Sequence, residues 1–218
     1  MATSTVENYI KAIFLECRNI SGNLLPVGKL AQTLKVVPGT ATTMVKSLTA
    51  AGLVNYEPRI GVSLTEQGEV LALHVLRRHR LVELFLVKIL KIDWSEIHDE
   101  AEQLEHVISD RVLERIDALL GYPQYDPHGD PIPSNSGELQ ERNLQNLANC
   151  PVGTETTIAR VLDQESNFLQ FAERNGLVPG NSVKIMHYDE TANAIKVETG
   201  PGKTLSLGKQ AALKIEVE

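Results

Sequence analysis

The stretch from Pro26 to Leu64 constrains the fold more than any other part of this chain, because its punctuation fixes the length and order of four elements. Pro26 suits a first helical turn ahead of Val27, Leu30, Ala31 and Leu34. After Val36-Val37, Pro38-Gly39 precedes a second helix from about Thr40 to Ala51, and Gly52 supplies its stop. Two short helices with a tight connection read as a helix-turn-helix. Leu53 to Glu57, Pro58 to Gly61 and Val62 to Leu64 then read as strand, turn, strand, the pattern of a β-hairpin wing. Upstream, Ile10, Ile13 and Phe14 recur at helical spacing between Val6 and Arg18, and Ser21-Gly22-Asn23 is expected to end that helix.

The net charge of −7 argues at first against an anionic partner, but it is unevenly spread. Residues 1–64 hold six Lys/Arg and three acids, a balance of +3. Residues 65–120 hold seven bases and twelve acids, and residues 121–218 eight and thirteen, −5 in each case. Four of the six histidines, His74, His79, His98 and His106, fall in the acidic middle segment. Cys17 and Cys150 stand far apart without a C-x-x-C pair, which excludes a disulfide framework and a zinc ribbon and fits a reducing cytoplasm. The most apolar stretch, Leu81 to Leu90, is interrupted by Glu83 and Lys88, so neither export nor membrane insertion is expected.

Thr65 is the expected N-cap of a long helix to about Lys91, and Ser95 of another to about Leu120. On the second, Ile97, Ala101, Leu104, Ile108, Val112, Ile116 and Leu119 form one helical stripe, suited to a homodimer partner. Pro123, Pro127, Pro131 and Pro133, followed by the polar run Ser134 to Asn149, read as a linker. Beyond it, short strands at Thr156–Leu162, Ser182–Tyr188, Ala194–Glu198 and Ala212–Val217, with a helical piece at Asn167–Arg174, predict a small SH3-like β-barrel. The expected fold is mainly α with a small β part: a winged helix-turn-helix (1–64), a helical dimerisation domain (65–120), a Pro-rich linker (121–150) and an SH3-like domain (151–218).

Two constellations carry chemistry. His79 and Glu83 stand at i, i+4, and His98, Glu102 and His106 are successive i+4 neighbours, with Glu105 three beyond Glu102. A single such pair is most often a solvated helix face. Two on neighbouring helices, beside an apolar stripe, call for charge compensation that a divalent cation supplies, and spacing alone leaves both readings standing. Glu102-x-x-Glu105-His106 departs from the H-x-x-E-H zinc-protease pattern by its first residue. A helical-bundle metalloenzyme would need Glu-x-x-His on two helices, and the sequence holds no such pair in this segment. The second constellation is Thr40, Thr42, Thr43 and Lys46, whose hydroxyls and charge suit phosphate and base-edge contacts, with Arg59 at the wing tip in reach of a phosphate or minor groove. Alternatively Thr40 only caps its helix and Arg59 is only solvated.

These residues resemble the metal-dependent repressors of the diphtheria toxin repressor and manganese transport regulator family. The resemblance runs from about Thr5 to Pro133. It is carried by Glu7-Asn8-Tyr9-Ile10, Ala51-Gly52-Leu53-Val54, Leu64-Thr65-x-x-Gly68, Arg78-His79-Arg80-Leu81-x-Glu83, His98-Asp99-Glu100-Ala101, Glu105-His106-Val107-Ile108-Ser109-Asp110 and His128-Gly129-x-Pro131-Ile132-Pro133. It implies a cytoplasmic homodimer, without enzymatic activity or membrane attachment, that binds Mn²⁺ or Fe²⁺ and then double-stranded operator DNA. Carried over by position, Asn8, Glu102, Glu105 and His106 form a primary metal site, and His79, Glu83 and His98 a second, completed from Leu162 to Phe168, with Asp163 or Glu165 as donor. Some iron-responsive relatives have cysteine at position 102 and methionine at position 8. Oxygen donors at both suit Mn²⁺, which is the preferred cofactor. Lys11 stands where manganese-selective relatives without the barrel carry an acid, and a charged lysine cannot join a two-metal cluster. The alternative regulator is a winged helix indifferent to metal.

Overall fold

In a computed structural model of the chain, described for residues 3–18, 20, 24–140, 142–200 and 202–218, the elements fall into two compact units. The first comprises residues up to His79, with Leu104–Ile108 and Pro133–Leu139. The second comprises Arg80–Gln103, Ser109–Ile132 and Gln140–Glu218.

In the first unit α1 (Ser4–Cys17), α2 (Val27–Thr33) and α3 (Pro38–Ala50) precede the antiparallel hairpin β1 (Val54–Glu57) and β2 (Gly61–Leu64) and the start of α4 (Glu66–Lys88). Thr3 caps α1 by accepting from the Val6 amide at 3.4 Å. The stop expected at Ser21-Gly22-Asn23 lies outside the described residues. Ala41, Val45 and Leu48 of α3 advance by helical steps into a core with Ile10, Ile13, Leu30, Val54 and Val62. Truncating a fully buried member such as Ile10 to Ala carries a penalty of ~2–5 kcal/mol. Leu25 and Val62 exchange backbone hydrogen bonds at 2.8 and 2.9 Å, tying the entry of α2 to the wing. Thr65 caps α4 through the Gly68 amide, 3.2 Å away. Gly68 is obligatory there, because a Cβ would lie 2.1 Å from the Leu53 carbonyl oxygen. Thr40 does not cap α3: the helix starts at Pro38 with Val37 as its N-cap, so Thr40 lies in the first turn and is exposed.

The single helix expected from Ser95 to about Leu120 is two. α5 runs Ile97–Leu104 and α6 Asp110–Leu119, with a turn and the cap Ser109 between them. Val107 and Ile108 both donate to the Leu104 carbonyl, at 3.1 and 3.0 Å, and the Ser109 hydroxyl accepts from the Val112 amide, which caps a new helix. The apolar stripe is therefore broken at Glu105–Ser109. On α6, Leu113 and Ile116 are buried while Val112 and Leu119 are exposed, which leaves an apolar face uncovered by its own unit.

In the second unit, β3 (Gln145–Asn146), β4 (Glu155–Val161), β5 (Ser182–Asp189), β6 (Ala194–Glu198), β7 (Thr204–Gly208) and β8 (Ile215–Val217) form an antiparallel SH3-like sheet of order β3-β8-β4-β5-β6-β7. A 3₁₀ turn spans Leu147–Asn149, α7 spans Ser166–Arg174 and α8 Lys209–Ala212. Ala212, expected in a strand, ends α8, and strand pairing begins only at Ile215. Alternate residues Val183 and Ile185, and Ile195 and Val197, face a core shared with Leu169, Leu177 and Leu207.

The Pro-rich segment is not a loose linker. Asp126, His128 and Ile132 are buried, the Val161 amide donates to the His128 carbonyl at 2.9 Å, and Arg142 donates to the carbonyls of Gly129 and Ala159 at 2.8 and 3.0 Å. Gly129, at φ +91°, lies so close to β4 that a Cβ would sit 2.0 Å from the Ala159 carbonyl oxygen. The buried Arg80 donates to the Pro131 carbonyl and pairs with Asp126 at 3.5 Å and Asp130 at 3.6 Å. Burial, with the nearby charges of Asp130 and Glu83, still pushes the Asp126 carboxyl well above its ordinary range.

Candidate metal centres and nucleic-acid interface

In the first unit α1 presents Glu7, Asn8 and Lys11 on one face, at spacings of one, three and four residues. The segment Leu104–Ile108 supplies Glu105 and His106, and α4 supplies Arg78 and His79. His106 Nδ1 lies 2.6 Å from Glu7 Oε2. With that nitrogen donating to the carboxylate, Nε2 keeps its lone pair, the arrangement that prepares an imidazole for a metal. Nε2 is buried with no hydrogen-bond partner, 3.4 Å from Glu105 Oε1, and the Asn8 side-chain oxygen is likewise buried with no hydrogen-bond partner. A buried acceptor left in this state is unfavourable by ~1–3 kcal/mol. A cation relieves it, so the residues present fit a divalent ion.

Glu105 is fully buried and already engaged. Lys11 Nζ donates to both its oxygens, at 2.7 and 2.9 Å, and His79 Nδ1 lies 2.5 Å from Oε2. Burial pushes the Glu105 carboxyl up, but the hydrogen bond and charge of His79 and the Lys11 ammonium outweigh it and hold the group below its usual range. Arg78 approaches Glu7 at 3.8 Å.

The second unit assembles a different set. Glu83 Oε1 lies 3.4 Å from His98 Nδ1, and His98 Nε2 lies 3.9 Å from Glu102 Oε1. Glu83 is buried and the His98 side chain is 51% exposed. His98 lines a cleft of about 460 Å³ with Leu162, Asp163, Gln164, Glu165 and Lys214. Both donors expected between Leu162 and Phe168 thus reach the cleft that His98 lines, although Asp163 is paired with Lys214 at 2.5 Å. Glu102, expected with Glu105 and His106, pairs in this structure with His98. Glu7 as the holder of His106 and Lys11 as the partner of Glu105 were not expected from the sequence. Only the i, i+4 spacing of Glu7 and Lys11 beside Asn8 hinted at either.

On α3, Thr42 and Thr43 donate their hydroxyls to the Pro38 and Gly39 carbonyls at 2.8 and 2.9 Å, which leaves their acceptor lone pairs and methyls for an outside partner. Thr43 and Lys46 are exposed, and Arg59 stands exposed at the wing tip with φ 69°.

Residues 1–62 match the family described as iron dependent repressor, N-terminal DNA binding domain. Residues 65–134 match its metal binding and dimerisation domain, and residues 145–218 match the FeoA domain. An uncharacterised HTH-type transcriptional regulator of Methanocaldococcus jannaschii is 37% identical over 118 residues, 54% of this chain and 94% of that protein. The iron-dependent repressor IdeR of Mycobacterium tuberculosis is 31% identical over 163 residues, 71% of this chain and 69% of that one. A solved manganese-dependent transcriptional repressor in complex with manganese superposes with a TM-score of 0.86 at 37% identity, covering 97% of this chain and 98% of that one. Among the described residues no helix is long and apolar enough to cross a membrane. The chain belongs to the iron-dependent repressor family: it is a metal-dependent, DNA-binding transcriptional repressor with a dimerisation domain and a C-terminal FeoA domain.

Proposed function

We propose that this repressor responds to Mn²⁺ in preference to Fe²⁺, acts in the cytoplasm without catalysing a reaction, and uses Asn8, Glu102, Glu105 and His106 as its primary metal ligands. The observation that carries this reading is the pair of buried acceptors without hydrogen-bond partners, Asn8 Oδ1 and His106 Nε2, with His106 Nδ1 held by Glu7. Oxygen from Asn8 and the carboxylates, with one imidazole, is a hard donor set that suits Mn²⁺. A divalent ion bound there supplies two positive charges and coordination positions for oxygen and nitrogen. His79, Glu83 and His98, with Asp163 or Glu165, form the second site; His79 stands one turn before Glu83 on α4, and the other four belong to the second unit.

The division of labour proposed is DNA binding by residues 1–64, metal binding and dimerisation by 65–120, a connecting segment at 121–150 and an SH3-like module at 151–218. Thr40, Thr42, Thr43, Lys46 and Arg59 contact DNA. Asn8 sits on a helix of the helix-turn-helix unit, and Glu105 and His106 stand four and three residues before Ser109, the N-cap of α6. Holding these donors together makes the spacing of two recognition helices in a dimer depend on metal, and successive major grooves lie ~34 Å apart. Operator binding measured at equal free Mn²⁺, anaerobic Fe²⁺ and Zn²⁺ tests the reading. The largest gain in operator affinity at saturating metal is expected with Mn²⁺, and a larger gain with Fe²⁺ would overturn the preference.

A further inference from the structure

We infer that Lys11 is an internal cation that competes with the divalent metal for Glu105 and so sets the metal concentration at which the repressor responds. The inference rests on the proposed ligand role of Glu105. Lys11 Nζ spans both carboxylate oxygens, at 2.7 and 2.9 Å, with the Lys11 side chain 9% exposed and that of Glu105 fully buried. On the same face of α1, Asn8 keeps a buried oxygen without a hydrogen-bond partner, and across from it His106 keeps Nε2 in the same state. One candidate ligand is therefore neutralised by a cation from its own chain while two neighbours wait for one.

Charge balance makes the two cations rivals. Lys11 and Glu105 together are neutral, and with His79 Nδ1 2.5 Å from Oε2 both carboxylate oxygens are already partnered in the metal-free protein, which offsets the penalty of burying the charge. Adding a divalent ion requires Nζ to give up at least one oxygen and leaves an ammonium close to two further positive charges in a poorly solvated site. Both effects oppose binding. A neutral side chain of similar length removes both, whereas arginine keeps the charge.

The test is Mn²⁺ binding to the full chain by calorimetry and by loss of the free-ion electron-paramagnetic-resonance signal, with thermal melts with and without metal. Lys11→Gln and Lys11→Met are expected to bind Mn²⁺ about tenfold or more tightly than wild type, a change of ~1.4 kcal/mol. Lys11→Arg is expected to stay within about threefold of wild type. Both neutral variants should melt earlier than wild type without metal and gain more on adding it. A purely structural lysine would lower both melts equally and leave affinity unchanged, and that result, or weaker binding by both neutral variants, overturns the inference. Absence of Mn²⁺ binding by wild type and variants alike would instead remove the metal-centre reading on which it stands.

Discussion

Around Glu105 both carboxylate oxygens are held by side chains of the same unit and water is excluded, whereas His98 stands half-exposed on an open cleft with Glu83 behind it and Asp163 paired to Lys214. The residue types are alike and the settings opposite. The buried set is ordered before any metal arrives, because Glu7 orients His106 and Lys11 neutralises Glu105; its ligands are specific but must exchange one cation for another. In the open set the pairs are looser, His98 lying 3.4 Å from Glu83 and 3.9 Å from Glu102, and solvent screens the half-exposed imidazole. A buried polar site that is nearly satisfied suits a threshold sensor; an exposed one suits a supporting role with faster exchange.

Removing Glu105 should break this contrast most severely. Glu105→Ala takes from Lys11 the carboxylate it holds, and loss of one partner of a buried pair carries a penalty of ~3–5 kcal/mol. Urea unfolding of the metal-free protein reads it, and His98→Ala in the open set should fall within ~1 kcal/mol of wild type by the same measurement. Glu7→Ala comes next: it frees the His106 ring, and a lost orienting partner typically weakens metal binding ~10–100-fold, read by Mn²⁺ titration.

The acid limb of stability sharpens the comparison further. Glu105 is held below its unfolded value of ~4.3, so its contribution is fully present above that pH and is lost as pH falls through the lower folded value. Metal-free Glu105→Gln, measured against wild type between about pH 5 and 2, should lack that part of the acid slope, and His98→Ala should keep it. The smallest effect is expected outside both sets. Thr43→Ala should weaken operator binding by ~1 kcal/mol and leave Mn²⁺ affinity unchanged.

The second helix of the helix-turn-helix and the wing could be read from the chain because their ends are set locally: Pro38 opens α3, Gly52 at φ +75° follows it, and the hairpin spans only a few residues. The break at Glu105–Ser109 could not, since Glu105, His106 and Val107 contain no helix breaker and the new start depends on a capping bond from Ser109. Composition likewise misled at Pro123–Ile132, where prolines suggested a linker while Arg80, 51 positions from Pro131, and the Val161 amide, bonded to the His128 carbonyl, hold the segment. Histidine and carboxylate spacing on the helices exposed the ligand types. Their partners stayed hidden, because Lys11 meets Glu105 and Glu7 meets His106 across 94 and 99 positions, which helical periodicity does not report.

The central claim is that the donors of the first unit make operator binding depend on a divalent ion. It is tested most directly by measuring the affinity of wild type and His106→Ala for a palindromic operator at fixed ionic strength, with saturating Mn²⁺ and with excess chelator. Wild type is expected to bind at least about a hundredfold more tightly with Mn²⁺, a coupling of ~2.7 kcal/mol, and His106→Ala to show no such gain. Equal wild-type affinity in the two conditions, or a full Mn²⁺ response from His106→Ala, would contradict it.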